Sequence, residues 1–358
     1  MVIDVHCHVG YSARRVDPAI AHFDFESNGA AAHPGYDSYF SPRLLQRIAW
    51  FFVKRMLKID PRLQIGPELD ARIEAIYQEH FSKATGVDRL VLLAFDEYRN
   101  DSGRAIGPVD KGVQYGSDLY VSNSLVRAMC AARPDRYLFG ASIHPYRPGA
   151  LAALEEVVRA GTVLVKWLPI HQNMSATDER TIAFLRRAAE LKVAMLIHYG
   201  GEMSLSRQHM EFESALPMLG VLRDLRAEGR MPTTIVAHVA TPSFRWHSRR
   251  ACDAFVEALL GEFRDAPIYA DISALAAFGR TSWLRRFARR RELHAKLVWG
   301  SDFPIPVMRW PFARMVSSRR LGEIRRMPSW IEQDLQLKRA LGFDEAVFTR
   351  AADILRIG

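Results

Sequence analysis

The first eight residues already hold a candidate for chemistry. In Ile3-Asp4-Val5-His6-Cys7-His8 two histidines stand two apart. Along an extended strand that spacing sends both imidazoles to one side and Cys7 to the other. Three further groups share one setting, each at or just past the C-terminal end of an apolar run: His198 after Met195-Leu196-Ile197, His238 after Ile235-Val236-Ala237, and Asp302 after Val298-Trp299-Gly300-Ser301. Imidazoles with a carboxylate suit a borderline divalent ion such as Zn2+, with Mn2+, Fe2+ and Co2+ as alternatives. Lys166, in Leu164-Val165-Lys166-Trp167-Leu168-Pro169, ends another such run. A lysine held neutral by burial can take up carbon dioxide, and the carboxylated Lys166 would offer two oxygens to bridge a pair of ions. His6 and His8 would then hold one ion and His198 and His238 the other, with Asp302 on the first. With a single ion on His6, His8, His198 and Asp302, His238 is left free as a catalytic group.

Such a centre makes hydroxide available near neutral pH. Asp302 is then the expected proton acceptor and donor, and His238 the group that polarises the substrate. The same constellation could run a decarboxylation. Near other strand ends lie His144, Trp167, Tyr199 and Glu202, candidates for substrate contact. Asp271 is expected to be structural, because the metal positions are already filled, and Cys7 to pack behind the ligands. Arg207, Arg245 and Arg249 are candidates for clamping an anionic group.

Elements must bring these residues together. Apolar, β-branched runs at Val2–Val5, Arg89–Phe95, Tyr137–Ile143, Thr162–Leu168, Ala194–Tyr199, Thr234–Val239, Ile268–Ser273 and Leu297–Ser301 predict eight strands. Their continuous rather than alternating hydrophobicity predicts parallel strands covered on both faces. Between them, segments such as Ala150–Ala160 and Asp178–Lys192 carry helical periodicity. The pattern is that of an α/β (β/α)8 TIM barrel, whose strand ends all meet at one mouth. The whole chain, 1–358, reads as one catalytic domain, with residues 11–87 an insertion that folds over the mouth as a lid. Within it Pro42–Lys58 reads as one basic amphipathic helix. It packs on the barrel, on a second copy of the chain or on a membrane surface, with packing the main expectation, so a homo-oligomer stays among the expectations.

The set of H-x-H, strand-four lysine, strand-five and strand-six histidines and strand-eight aspartate resembles the amidohydrolase superfamily. Trp299-Gly300-Ser301-Asp302-Phe303-Pro304 and Leu196-Ile197-His198-Tyr199-Gly200-Gly201-Glu202 are similar to its amidohydrolase 2 branch, metal-dependent hydrolases of the TIM-barrel fold. The resemblance implies hydrolysis of an amide, ester or lactone in a small organic molecule. It also admits the branch's decarboxylases, related to aminocarboxymuconate-semialdehyde decarboxylase, which use one metal. The Lys-x-x-Pro setting of Lys166 looks more like the dihydroorotase-type binuclear arrangement. The long first insertion departs from the shared pattern.

Composition sets the remaining bounds. Of 358 residues 49% are hydrophobic and 25% charged, which excludes global disorder. The longest apolar run near the one greasy helix, Ile48–Val53, is far short of a membrane span. With no apolar leader and three scattered cysteines, the expectation is a cytoplasmic protein with reduced thiols. Lys+Arg 49 against Asp+Glu 40 gives +9. The clusters Arg285-Arg286, Arg289-Arg290-Arg291, Arg319-Arg320 and Arg325-Arg326 raise nucleic acid or an acidic membrane surface as an alternative. Interleaved aromatics and a nucleic-acid module are missing, so no nucleic acid and no stable membrane insertion are expected, and the partner is a small-molecule substrate.

Overall fold

The computed structural model describes residues 1–27, 31–108, 115–243 and 249–358. Eight strands, β1 Ile3–His8, β2 Arg89–Leu93, β3 Tyr137–Ala141, β4 Leu164–Trp167, β5 Ala194–His198, β6 Thr234–Ala237, β7 Ile268–Asp271 and β8 Leu297–Val298, pair in parallel in chain order. Each side of the seam between β8 and β1 finds a partner: the Val5 amide donates to Trp299 O at 3.4 Å, the Asp302 amide to His6 O at 2.8 Å, and the His8 amide to Phe303 O at 3.0 Å. The architecture is the expected α/β TIM barrel.

Side chains sort into two shells. Ile3, Val5, Val91, Leu93, Leu164, Leu196, Ile235 and Val298 fill the barrel, joined by Ala351, Ile354 and Leu355 from the end of the chain. Cys7, Leu92, Val165, Trp167, Ile197, Val236 and Trp299 belong to the larger outer cluster. β1 carries an irregularity that the sequence reading lacked. Asp4 pairs with Leu90 and Cys7 with Leu92, so three steps along β1 answer two along β2. This bulge lets Val5 and His6 share one face despite adjacent positions, so that Ile3 and Val5 fill the barrel and His6 and His8 still face inward at its mouth.

Helices follow the predicted periodicity. The segment expected at Asp178–Lys192, for example, runs over Glu179–Glu190, with the Asp178 side chain capping its first turn through the Arg180 amide. The insertion is built of several elements. Ala13–Arg15 and Tyr36–Phe40 pair antiparallel, and Leu119–Val121, from the connection after β2, adds a third strand. The single helix expected over Pro42–Lys58 is two, Pro42–Leu45 and α1 Ile48–Met56, separated where Arg47 takes an extended conformation (φ −70°, ψ 140°). The next helix, α2 Pro67–Ser82, packs on the barrel: Tyr77 and Phe81 lie against Phe303, and the Tyr77 hydroxyl exchanges two 2.7 Å hydrogen bonds with the Gly10 backbone.

All three cysteines are buried and unpaired. Among the described residues no helix is long and apolar enough to cross a membrane. Several arginines of the basic clusters face carboxylates, Arg286 with Asp253, Arg290 with Glu257 and Glu292, Arg291 with Asp344, and Arg319 and Arg320 with Glu323.

Candidate metal centre and active site

His6 is fixed from behind. Its Nδ1 lies 2.8 Å from Asp271 Oδ2, and because a carboxylate only accepts, the ring proton sits on Nδ1 and the Nε2 lone pair faces the barrel mouth. His238 is set the same way, with Nδ1 donating to the Ser273 carbonyl at 2.9 Å. Its backbone turns through positive φ at His238, Val239 and Ala240, a strained run held by the His238 amide donating to Asp271 Oδ1 at 2.9 Å. Asp271 thus buttresses both imidazoles; the structural role expected for it is an orienting one. Burial opposes its ionisation, but the donors from His6 and Ser273 and the nearby His238 hold its carboxyl well below the usual carboxylate range.

Asp302 completes the group. A side chain on Gly300 would put its Cβ 2.8 Å from the His6 Cβ, so only glycine lets this turn press against β1. The chain then passes through φ 62° at Asp302. Asp302 Oδ1 ends 3.2 Å from both His6 Nε2 and His8 Nε2, and Oδ2 lies 3.8 Å from His238 Nε2. His6 and His8 meet at 3.1 Å through their Nε2 atoms. One ligand atom each from His6, His238 and Asp302 lie within 4.8 Å of one another. Burial first, then the charge of Lys166, lowers the His6 pKa to about 4; burial and then Arg280 lower that of His238 to about 3. Both rings are therefore neutral at pH 7, as ligands must be.

His198 touches this group through its ring, edge-on to His238 at 4.8 Å between centroids. Its Nε2 is buried with no hydrogen-bond partner, 3.6 Å from Glu202 Oε2. Lys166 Nζ is likewise buried and partnerless, and burial lowers its pKa to about 8. The orphaned His198 nitrogen beside converging imidazoles and a carboxylate fits a divalent cation, since a buried polar atom without a partner is costly otherwise, whereas Lys166 as an ammonium would repel one and fits only once carboxylated.

The group opens into a cavity of about 950 Å3 that His8, Lys166, His198, Glu202, His238 and Asp302 line together. Of the four candidates for substrate contact only Glu202 lines it, with Oε1 held by the Leu205 amide at 3.0 Å and by the Ser204 amide. The other three do not line it. Trp167 packs on Phe184 and donates from Nε1 to Ile143 O at 2.7 Å, because the residue after inward-facing Lys166 must face outward. Tyr199, next to inward-facing His198, joins the outer cluster for the same reason. His144 accepts from the Tyr146 amide and bonds Gln172 O through Nε2 at 2.7 Å, leaving neither nitrogen for a ligand. Of the three arginines, Arg207 and Arg249 are exposed, and Arg245 lies outside the described residues.

Sequence reasoning missed Arg280, in the connection after β7. It is buried, lines the cavity, donates to Gly201 O and keeps Nε without a partner. No pattern singled it out, since it lies nine residues past Asp271 in a stretch without strand or helix periodicity.

A family model described as "Amidohydrolase" matches residues 3–324. Among solved structures the chain is similar to a protein from Pseudomonas putida provisionally assigned as a 2-pyrone-4,6-dicarboxylic acid hydrolase, at 15% identity and a TM-score of 0.52 over 99% of this chain and 97% of that one. It also resembles a 2,6-dihydroxybenzoate decarboxylase from Rhizobium, at 13% identity and a TM-score of 0.49 over 99% and 98% of the chains. Such identities speak to the fold alone. Among curated protein sequences none matches this chain.

Proposed function

Because the chain belongs to the amidohydrolase family, a family of enzymes, we propose that it is a metal-dependent hydrolase that opens an amide, ester or lactone bond of a small organic molecule. The observation that carries this reading is the convergence of His6, His238 and Asp302 within 4.8 Å, with His238 and Asp302 on the lining of the cavity. His6, His8 and Asp302 would hold one divalent ion, most simply Zn2+, and His198 and His238, with a carboxylated Lys166, a second. When bound, such an ion supplies Lewis acidity and a water acidified to a pKa of about 7.

The chain's own groups do the rest. Asp302 takes the proton of the attacking water and returns it to the leaving group, with Oδ1 facing His6 and His8 and Oδ2 turned towards His238. Asp271 keeps His6 in one tautomer throughout. Arg280, a buried cation on the cavity lining, places positive charge at the end where negative charge develops. The apolar walls limit bulk water at the reacting end.

A second reading is decarboxylation of a carboxylic acid, favoured by the two cationic side chains, Arg280 and Lys166, on the cavity lining. One assay separates the two: metal-reconstituted protein is offered lactones, amides, esters and carboxylic acids, with carbon dioxide release followed in parallel. Hydrolysis that disappears on chelation and returns with Zn2+ supports the first reading. Carbon dioxide without hydrolysis replaces it with the second.

A further inference from the structure

The cavity is far larger than its reacting end needs. An enclosed space of about 150 Å3 holds a benzene ring, and this one offers about 950 Å3. Its polarity is segregated. Imidazole, carboxylate and lysine side chains gather where the strands end, together with Arg280, and away from that floor the only charged side chains of the described lining are Arg309 and Arg325. The walls are hydrocarbon, with Leu44, Trp50, Val53, Phe95, Leu119 and Val307 prominent. Four apolar residues that line it stay open to solvent at its rim: Phe52 is 56% exposed, Met56 46%, Phe278 63% and Trp310 73%. A single-ring polar acid would leave most of this surface wet. A long apolar body would cover it, because each methylene moved from water to such a wall strengthens binding by about fourfold at best.

We infer that the substrate is a lipophilic amphiphile: one acyl or carboxylate head at the floor beside Arg280, and an apolar body, on the order of twenty heavy atoms, along the walls. The inference rests on the floor being the reacting end, as argued above, and adds what the walls select. The insertion contributes that selectivity, since Leu44, Trp50, Phe52, Val53 and Met56 all come from it.

The test is calorimetric titration of the metal-free and Zn2+-loaded protein with linear carboxylates from hexanoate to dodecanoate, each below its micelle concentration. Affinity is expected to rise at least tenfold across the series. Val53→Trp, which fills the wall, and Phe52→Ser, on the exposed rim and so harmless to folding, should each weaken dodecanoate at least threefold and leave hexanoate within twofold. A rise below tenfold overturns the inference, and so does a larger rise that Phe52→Ser leaves intact. Because binding is read without turnover, a protein that grades chain length yet hydrolyses nothing sinks the hydrolase reading and keeps this one. A protein that hydrolyses short polar substrates with flat chain-length affinity does the reverse.

Discussion

The two halves of the barrel mouth are built on different rules. On the side of β1, β6, β7 and β8, Asp271 locks His6, the Ser273 carbonyl locks His238, and Asp302 sits against two imidazoles. On the side of β4 and β5, Lys166 Nζ and His198 Nε2 are equally buried and have no hydrogen-bond partner. The first half is organised before anything binds, and its geometry is stored in hydrogen bonds. The second half carries an unmet demand, and its stability improves when a ligand or ion arrives. A centre divided this way fixes the position of the chemistry on one side and draws its guest in from the other.

The largest break in this contrast comes from the organised half. Asp302→Asn should lower kcat/KM by about 10^2–10^4-fold, the range for loss of a positioned proton acceptor, in a protein whose circular dichroism is unchanged. A fall of less than tenfold would remove Asp302 from the proton path. Next comes Asp271→Asn, which touches no substrate. It frees the His6 tautomer and should weaken Zn2+ about 10–100-fold in chelator competition. Unaltered affinity would mean that His6 is held by the fold alone.

The open half should answer with the opposite sign. Lys166→Met removes a partnerless buried amine and should stabilise the metal-free chain by on the order of 1–3 kcal/mol in denaturant unfolding. In Zn2+-loaded crystals the same change should erase a second anomalous peak and spare the first; two peaks in the variant would dismiss the carboxylated Lys166. Acid sharpens the contrast further. His6 and His238 titrate near 4 and 3 when folded but near 6.5 when unfolded. Between those values the unfolded chain binds the extra protons, so stability of the metal-free protein should fall with pH from about 6.5, by up to about 1.4 kcal/mol per pH unit for each ring, and level off below the folded values. A flat profile between pH 6.5 and 4 would show that both rings are solvated. The smallest effect belongs to Trp167→Phe, which loses one hydrogen bond on the outer shell: about 1 kcal/mol of stability, with kcat and KM within twofold.

The candidate ligands are legible because barrel geometry gathers strand ends, and His6, His8, Lys166, His198, His238 and Asp302 all stand near or just past strand ends. Alternation is legible too, at His6, Cys7 and His8. Extended to Lys166-Trp167 and His198-Tyr199, the same rule turns Trp167 and Tyr199 outward. Arg280 was out of reach, because a loop residue nine positions from its strand has no period to betray it. The three-stranded sheet was hidden for another reason: its strands are three to five residues long and pair across gaps of some twenty and eighty residues, so nothing local marks them.

The bulge in β1 has a consequence for anyone wishing to move this centre. The pair His6-x-His8 is portable only together with the irregularity at Asp4–Cys7 that precedes its inward turn. Grafted onto a regular strand that keeps Ile3 and Val5 in the barrel, both imidazoles would rotate out among the surrounding helices, with every ladder hydrogen bond intact. Deleting Val5 would instead regularise the strand with both imidazoles still inward, at the loss of one side chain that fills the barrel. The miscount of one between two neighbouring strands therefore lets Ile3, Val5, His6 and His8 all face inward, and a designer who straightens the strand without removing a residue obtains a tidier barrel with its histidines facing the wrong way.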